Sequence, residues 1–233
     1  MPETKYLDDL LDVEVPAPSD GQVLYWDAPT ALWKAKTILV AAAIIERVVR
    51  YSTDDAWAYY TGADWVINLT YALGIAGYYG ATYQGSGMGM RFVNIYLPPT
   101  AIITHAYLKL TCGTAGDKIE VKTRIRGEKN VDPLTFSTID DYNARTRTTA
   151  TIDWDNIPTW QLGELYQSPD IKDVIKEIIT LPDWASGNPL VIFWDDHDFR
   201  TPPVAGKDRR ARSQNHATPV PPILYIEYTP YVK

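Results

Sequence analysis

Residues 118–127, KIEVKTRIRG, decide the predicted fold class, because side-chain polarity alternates along them. The inner row consists of Ile119, Val121, Thr123 and Ile125. The charged row consists of Lys118, Glu120, Lys122 and Arg124. Successive side chains of a strand point to opposite faces of a sheet, so this alternation is typical of a half-buried antiparallel strand. The stretch predicts a sheet with one face against a core.

Other segments between residue 51 and the C-terminus mix β-branched and aromatic residues in the same way. They are WVINLTYAL, RFVNIYL, AYLKLTC, PLVIFW and PILYIEYT. Glycine- and proline-rich stretches separate them and predict turns: GSGMG (85–89), CGTAGD (112–117), SGNP (186–189) and TPPVAG (201–206). Many short strands with turns between them predict an all-β fold, an antiparallel β-sandwich or jelly roll.

One amphipathic helix is predicted within residues 168–184, SPDIKDVIKEIITLPDW. Its apolar stripe has helical spacing and consists of Ile171, Val174, Ile175, Ile178 and Ile179. Ser168 is the predicted N-cap, and Pro182 ends the pattern. A single such helix in an all-β domain is expected to close an open end of the sandwich.

Composition and charge exclude several classes of function. The 233 residues have a formal net charge of −7, which argues against a nucleic-acid partner, since such partners require a basic surface. The run KDRRAR at 207–212 is interpreted as a solvated loop, with a polyanion contact as the alternative. The single cysteine, Cys112, excludes an intrachain disulfide. The longest apolar run, 38–45, is far shorter than the roughly 20 residues that span a bilayer, so no membrane partner is expected.

The first forty residues form a separate segment in the predicted organisation. QVLYW (22–26) and LWKAKTIL (32–39) predict two strands joined by the turn DAPTA. A lone two-stranded hairpin is marginal in water, so this one is expected to pack on the rest of the chain, on identical copies or on a larger assembly. We therefore predict an N-terminal attachment or oligomerisation segment (1–40), a linker (41–54) and a jelly-roll domain (55–233). Residues 38–49 are interpreted as a linker or interchain packing segment, or as an ordinary buried strand or helical turn.

The N-terminal segment resembles a short repeat found in tail fibres and other appendage proteins of bacteriophages. The motifs that carry the resemblance are LDDLLDV (7–13), PAPSDGQVLYWD (16–27) and LWKAKTI (32–38), in that order. The resemblance implies a segment that joins a virion-attachment region to a following domain, often within a trimer. The residues expected to mediate assembly are Leu7, Leu10, Val13, Val23, Leu24, Trp26 and Trp33.

The rest of the chain resembles β-sandwich modules of the DNRLRE type, which are related to carbohydrate-binding modules. The stretches that carry the resemblance are MRFVNIYLPPTAIITHAYLKLTC (90–112), residues 125–154, residues 168–196 and the closing PPILYIEY. The charged segment that names the family is absent, and MRFVNI stands in its place. The resemblance implies a binding or structural module and supplies no catalytic residues.

The densest cluster of reactive side chains is FWDDHDF at 193–199. Its carboxylates, Asp195, Asp196 and Asp198, are candidate oxygen ligands for Ca²⁺, although the glycine and distal glutamate of an EF-hand loop are missing. The favoured interpretation is a polar loop whose carboxylates pair with arginines. The candidate arginines are Arg209, Arg210 and Arg212.

Enzymatic chemistry has weak support in the sequence. The histidines lack zinc-site spacing, and no nucleophile-elbow or phosphate-binding motif is present. The candidate acids for glycoside hydrolysis are Asp140, Asp141, Asp153 and Asp155. A glycan-binding surface is an alternative, with Trp57, Tyr60, Trp65 and Tyr79 as the stacking residues. The favoured interpretation is that about half of the aromatic residues in this region line the sandwich core or a subunit interface.

The combined expectation is a non-enzymatic bacteriophage virion protein, namely a head decoration, head fibre or tail-fibre component. It would be made in the host cytoplasm without a leader and would need no cofactor, a Ca²⁺ ion being the one candidate. Its expected partners are identical copies in a homotrimer, other virion proteins and host surface glycans. The alternative is a carbohydrate-binding module that recognises a polysaccharide.

Overall fold

The computed structural model describes residues 22–37, 41–218 and 220–230, and strands dominate these ranges. The strands are β1 (Gln22–Asp27), β2 (Leu32–Thr37), β3 (Ala43–Val48), β4 (Asp55–Tyr60), β5 (Trp65–Asn68), β6 (Leu73–Tyr78), β7 (Gln84–Phe92), β8 (Ile102–Thr114), β9 (Lys122–Gly127), β10 (Ile152–Asp155), β11 (Leu165–Gln167), β12 (Leu190–Asp195), β13 (Lys207–Arg212) and β14 (Ile223–Thr229). The helices are α1 (Ile139–Ala144) and α2 (Lys172–Ile179). The prediction of an all-β fold is confirmed. No helix in these ranges is long and apolar enough to cross a membrane.

Twelve strands form one curled antiparallel sheet in the order β10-β9-β12-β7-β6-β13-β8-β14-β3. Strand β11 is added at β8, β4 at β7, and β5 at β4. The two ends of the curl enclose one core, to which β12 contributes Trp194, β8 Leu108 and β14 Ile226. This is the arrangement expected of a β-sandwich or jelly roll. Strands β1 and β2 form a two-stranded sheet of their own.

Strand β12 is buried on both faces, which explains its continuous apolar sequence. Ile192 and Trp194 lie in the main core. Val191 and Phe193 point to the opposite face, where Phe136 and other residues of a second cluster cover them. The segment that contains α1 therefore adds a second layer outside the sheet.

The predicted apolar stripe of helix α2 is confirmed, since its buried residues are Val174, Ile175, Ile178 and Ile179. The predicted N-cap is wrong, because the helix begins at Lys172. Ser168 Oγ instead accepts a hydrogen bond from the Leu108 N–H (2.9 Å), which ties the segment before the helix to strand β8. The prediction of a single helix also missed α1, whose first turn is capped by Thr138 through the Asp141 N–H (3.1 Å).

The predicted linker, residues 41–54, contains strand β3, which pairs with β14 along its whole length. The run KDRRAR is also structured, so its interpretation as a solvated loop is wrong. It forms β13 between β6 and β8, with Arg209 fully buried. Carbonyl groups compensate this buried cation: Arg209 donates to the oxygens of Pro158 (2.7 Å) and Lys118 (2.9 Å), among others.

The predicted strand at 118–127 is shorter than expected. Strand β9 begins at Lys122, and its buried positions include Thr123 and Ile125, as the alternation predicts. Ile119 is exposed instead of inward-facing. The backbone turns at Glu120, whose φ is 64°, and this interrupts the alternation before the strand begins.

The glycine-rich stretch GSGMG lies within β7, so the predicted turn is wrong. Gly87 and Gly89 are paired with Asp195 and Phe193 of β12. A Cβ atom at Gly87 would lie 2.1 Å from the Cβ of Asp195 and 2.8 Å from its Cα. Gly87 and Gly89 form a glycine row on the outer face of β7. Glycine is required in this row because neighbouring side chains and backbone pack closely against it, and not because the chain turns there.

We predict that Gly87→Ala lowers the free energy of unfolding by about 2–3 kcal/mol, because the added methyl group meets the backbone of a buried strand. Gly80→Ala is the matched control, since a Cβ there has nothing within 4 Å. The control should change stability by less than about 0.5 kcal/mol in urea titrations. Equal stability of the two variants would contradict the role of the glycine row.

Candidate functional site

The FWDDHDF stretch ends strand β12 and enters the following loop, and its three carboxylates go to different places. Asp195 lies on the same face of β12 as Val191 and Phe193, and it is fully buried. Asp196 is also buried, and its N–H donates to the Ser86 carbonyl oxygen (3.0 Å). Asp198 lies at the surface. The structure therefore does not gather these residues into one ligand set.

Asp195 lies at the centre of a buried polar cluster. Its Oδ1 accepts a hydrogen bond from Arg126 Nη2 (2.9 Å), and its Oδ2 lies 3.9 Å from His197 Nδ1. Burial opposes ionisation of Asp195, but the nearby charges of His197, Arg126 and Arg147 outweigh it and lower its pKa. Burial also lowers the pKa of His197. The cluster thus retains a buried carboxylate held by arginines.

Asp196 closes the loop that follows β12. Its carboxylate accepts hydrogen bonds from the backbone N–H groups of Arg200 (2.7 Å) and Thr201 (3.1 Å). Burial raises the pKa of this carboxyl group to about 6 despite those hydrogen bonds. The oxygens of Asp196 therefore serve the local chain fold.

Asp198 belongs to a surface chain of alternating charges. Arg124 lies 2.7 Å from Asp198 and 2.7 Å from Asp153, and Arg200 lies 3.0 Å from Asp153 and 2.7 Å from Asp155. Pairing of this polar loop with arginines was predicted, but with the wrong arginines. Arg210 pairs with Asp208 (2.6 Å), and Arg209 binds backbone carbonyls.

Several candidate metal ligands and candidate acids are engaged by other side chains. Within the described ranges, no group of three His, Cys, Asp or Glu side chains is arranged to hold a metal. Of the candidate glycosidase acids, Asp153 and Asp155 share Arg200, and Asp141 pairs with Arg145 (2.9 Å). These carboxylates are engaged in ion pairs, and the hydrogen bond from Arg124 lowers the pKa of Asp153.

The four predicted glycan-binding aromatics lie in two separate groups. Trp57 and Tyr79 each contact Tyr83, with ring centroids 5.5 and 5.2 Å apart. We call this group the Tyr83 cluster; it comprises Trp57, Tyr59, Tyr71, Tyr79 and Tyr83. Tyr60 and Trp65 contact each other and Phe199 in the second group, the Trp65 cluster, which also includes His197.

The Tyr83 cluster combines ring faces with hydroxyl groups. Trp57 is buried and supports the cluster, whereas Tyr71 is exposed. The Arg210 guanidinium lies 4.5 Å from the Tyr79 ring centroid. Tyr71 was not among the predicted site residues. It lies outside the regular strands, so no period in the sequence indicates which side of the chain it occupies.

The N-terminal hairpin presents two tryptophans to solvent. Trp26 of β1 is paired with Trp33 of β2, and their rings make an edge contact at 5.7 Å. Trp26 remains 46% exposed and Trp33 39% exposed. Val23 and Leu24 occupy positions in β1. Leu7, Leu10 and Val13, also predicted as assembly residues, lie outside the described residues.

Compared with known protein families and with curated proteins, the chain matches none.

We predict that Asp195→Asn lowers the free energy of unfolding by about 3 kcal/mol, because it removes the fully buried carboxylate that accepts the hydrogen bond of Arg126. Asp198→Asn is the matched control, since it removes a partner of the same arginine cluster at the exposed end. The control should cost less than about 1 kcal/mol in chemical denaturation. The proposed importance of burial would be contradicted by equal costs for the two substitutions.

Proposed function

We propose that the protein is a non-enzymatic bacteriophage virion structural protein that displays a β-sandwich through an N-terminal assembly segment. The observation that carries this proposal is the exposed Trp26–Trp33 pair on a hairpin with its own two-stranded sheet. Two strands alone bury too little apolar surface to be stable in water. Contact of the indole rings with identical copies or another virion protein would supply the missing burial.

The electrostatics of the sandwich support a structural role. The carboxylates at the end of β12 and along β10 are engaged by Arg124, Arg126 and Arg200. A general acid or a metal ligand needs a carboxylate that is free to take up a proton or a cation, whereas these ones are held by neighbouring cations. We therefore place the function in assembly and display.

The assignment to a virion rests on the order of the motifs in the N-terminal segment, of which QVLYWD and LWKAKT form strands β1 and β2. In this proposal the hairpin joins copies into a homotrimer and attaches them to other virion proteins. The sandwich then faces outward, on a head decoration, a head fibre or a tail fibre.

We predict that the double substitution Trp26→Ser/Trp33→Ser lowers the solution mass about threefold at equal protein concentration, because it removes the apolar contact between hairpins. Light scattering after size exclusion measures this mass directly. The matched control is Tyr51→Ser/Leu134→Ser, which replaces two exposed apolar residues of the sandwich. An unchanged mass in the tryptophan variant would refute assembly through the hairpin.

A second candidate function is glycan binding by the Tyr83 cluster. The observation that favours it is the continuous contact of Tyr59, Tyr79 and Tyr83, with centroid distances of 5.0 and 5.2 Å, next to exposed Tyr71. Aromatic faces pack on the C–H faces of sugars, and tyrosine hydroxyls can bond to sugar hydroxyls. The Trp65 cluster is less suited, since its Trp65 ring packs on the partly buried His197 (4.6 Å).

If this candidate is correct, Tyr71→Ala should weaken glycan binding about tenfold, which corresponds to about 1.4 kcal/mol. Calorimetric titration with host surface polysaccharides measures the change. Phe199→Ala is the control, because Phe199 is an exposed aromatic residue of the Trp65 cluster. Equal affinity of wild type and Tyr71→Ala would remove the Tyr83 cluster as the site.

A further inference from the structure

Among the residues that the structure describes, only β14 pairs with β3, and we call the other side of β3 the open edge. Strand β3 lies at the end of the strand order and pairs with β14 in an unbroken register from Ala43 to Val48. The other strands at sheet ends are shorter: β10 and β5 have 4 residues each and β11 has 3, against 6 in β3. The sequence AIIERV contains no proline, and the pairing contains no bulge, so two common devices that block edge pairing are missing.

The direction of one hydrogen bond identifies the backbone groups on the open edge. The Val49 N–H donates to the Pro222 carbonyl oxygen (3.1 Å), at the end of the chain leading into β14. Residues two apart in a strand direct their N–H and C=O groups to the same side. Ile45 and Arg47 therefore face β14, and Ile44, Glu46 and Val48 direct their backbone groups to the open edge.

The same three residues also present their side chains on the outer face of the sheet. Ile45 is buried on the core side, whereas Ile44 is 60% exposed and Val48 48% exposed. A strand edge with unpaired backbone groups and exposed β-branched side chains is a template for another strand.

We propose that β3 pairs antiparallel with β3 of a second copy about a two-fold axis at Glu46. In this register Glu46 lies opposite Glu46 of the second copy, and Ile44 lies opposite its Val48. Every edge-facing N–H and C=O of Ile44, Glu46 and Val48 then has a partner, and each exposed aliphatic side chain packs beside another. Moving the axis to Ile44 or Val48 would leave part of the edge beyond the end of the partner strand.

The charges around β3 are compatible with this axis. Glu46 forms an ion pair with Lys109, whose ammonium lies 5.0 Å from the Tyr225 ring centroid. Two Glu46 carboxylates would therefore meet with a cation beside each, which offsets their repulsion. Arg47 Nη1 donates to the Glu46 carbonyl oxygen (2.8 Å), and that oxygen has a second lone pair for the strand of the second copy.

This contact is independent of the proposed hairpin assembly, because it uses different residues and a two-fold axis. The two contacts together would double the number of copies that the hairpin joins. A chain whose hairpin does not assemble would still form dimers through β3.

Cysteine cross-linking tests the register. Glu46→Cys should form a disulfide-linked dimer under mild oxidation, because each new cysteine faces its own counterpart. Ile44→Cys is the matched control: it faces Val48 and should remain uncross-linked, whereas Ile44→Cys/Val48→Cys should cross-link. Native Cys112 is buried and common to all variants. Equal cross-linking of Glu46→Cys and Ile44→Cys would overturn the proposed register.

A proline substitution tests the contact without new cysteines. Glu46→Pro removes an N–H that faces the open edge and leaves the pairing with β14 intact, so the solution mass should fall about twofold. Glu46→Gln should keep the wild-type mass. Equal mass of wild type and a folded Glu46→Pro overturns the proposal, and if Glu46→Pro fails to fold, the cysteine series decides. Repeating Glu46→Cys in the Trp26→Ser/Trp33→Ser background separates the two assembly proposals, because only the β3 contact should persist there.

Discussion

The close approach of β7 and β12 is the constraint on which the rest of the sandwich depends. Gly87 and Gly89 leave no side chain between β7 and the residues that cover its outer face. The space admits Phe136 and the buried ring of Tyr142, so β12 is buried on both faces. A larger residue in the row would force the second layer away from the sheet and expose the polar cluster around Asp195 to water.

Charge pairing then limits the chemistry open to Asp195 and Asp198 of FWDDHDF, since a carboxylate in contact with arginine is a poor ligand and a poor acid. Asp195 is held by Arg126, and Asp198 by Arg124. Asp196 is engaged by backbone N–H groups. The acidic end of β12 thus connects the second layer, the loop and the sheet.

Three apolar or aromatic surfaces of the described residues lie on different elements. The hairpin offers Trp26 and Trp33, the open edge of β3 offers Ile44 and Val48, and the Tyr83 cluster offers ring faces and hydroxyls. The first two would suit contact with other polypeptide chains, because indole rings are buried by an apolar surface and an edge strand pairs with a second strand. Tyrosine rings with adjacent hydroxyls suit a polyol. Assembly and display are consistent with this division.

Local periodicity determined much of the fold. The alternation that ends in β9, the apolar run of β12 and the stripe of α2 each reflect which side of an element is buried, and neighbouring residues contain that information. Partners distant in sequence were not accessible in this way. GSGMG has the composition of a turn and KDRRAR that of a solvated loop, yet both form strands. Close packing against β12 requires glycine in the first, and carbonyl oxygens of the distant residues Lys118 and Pro158 compensate the buried Arg209 of the second. The sequence by itself determined elements such as β9, β12 and α2, because their own residues carry the pattern of burial. Only the tertiary structure decided which arginine meets which aspartate and which aromatic rings meet, because register and packing across the sheet set those contacts.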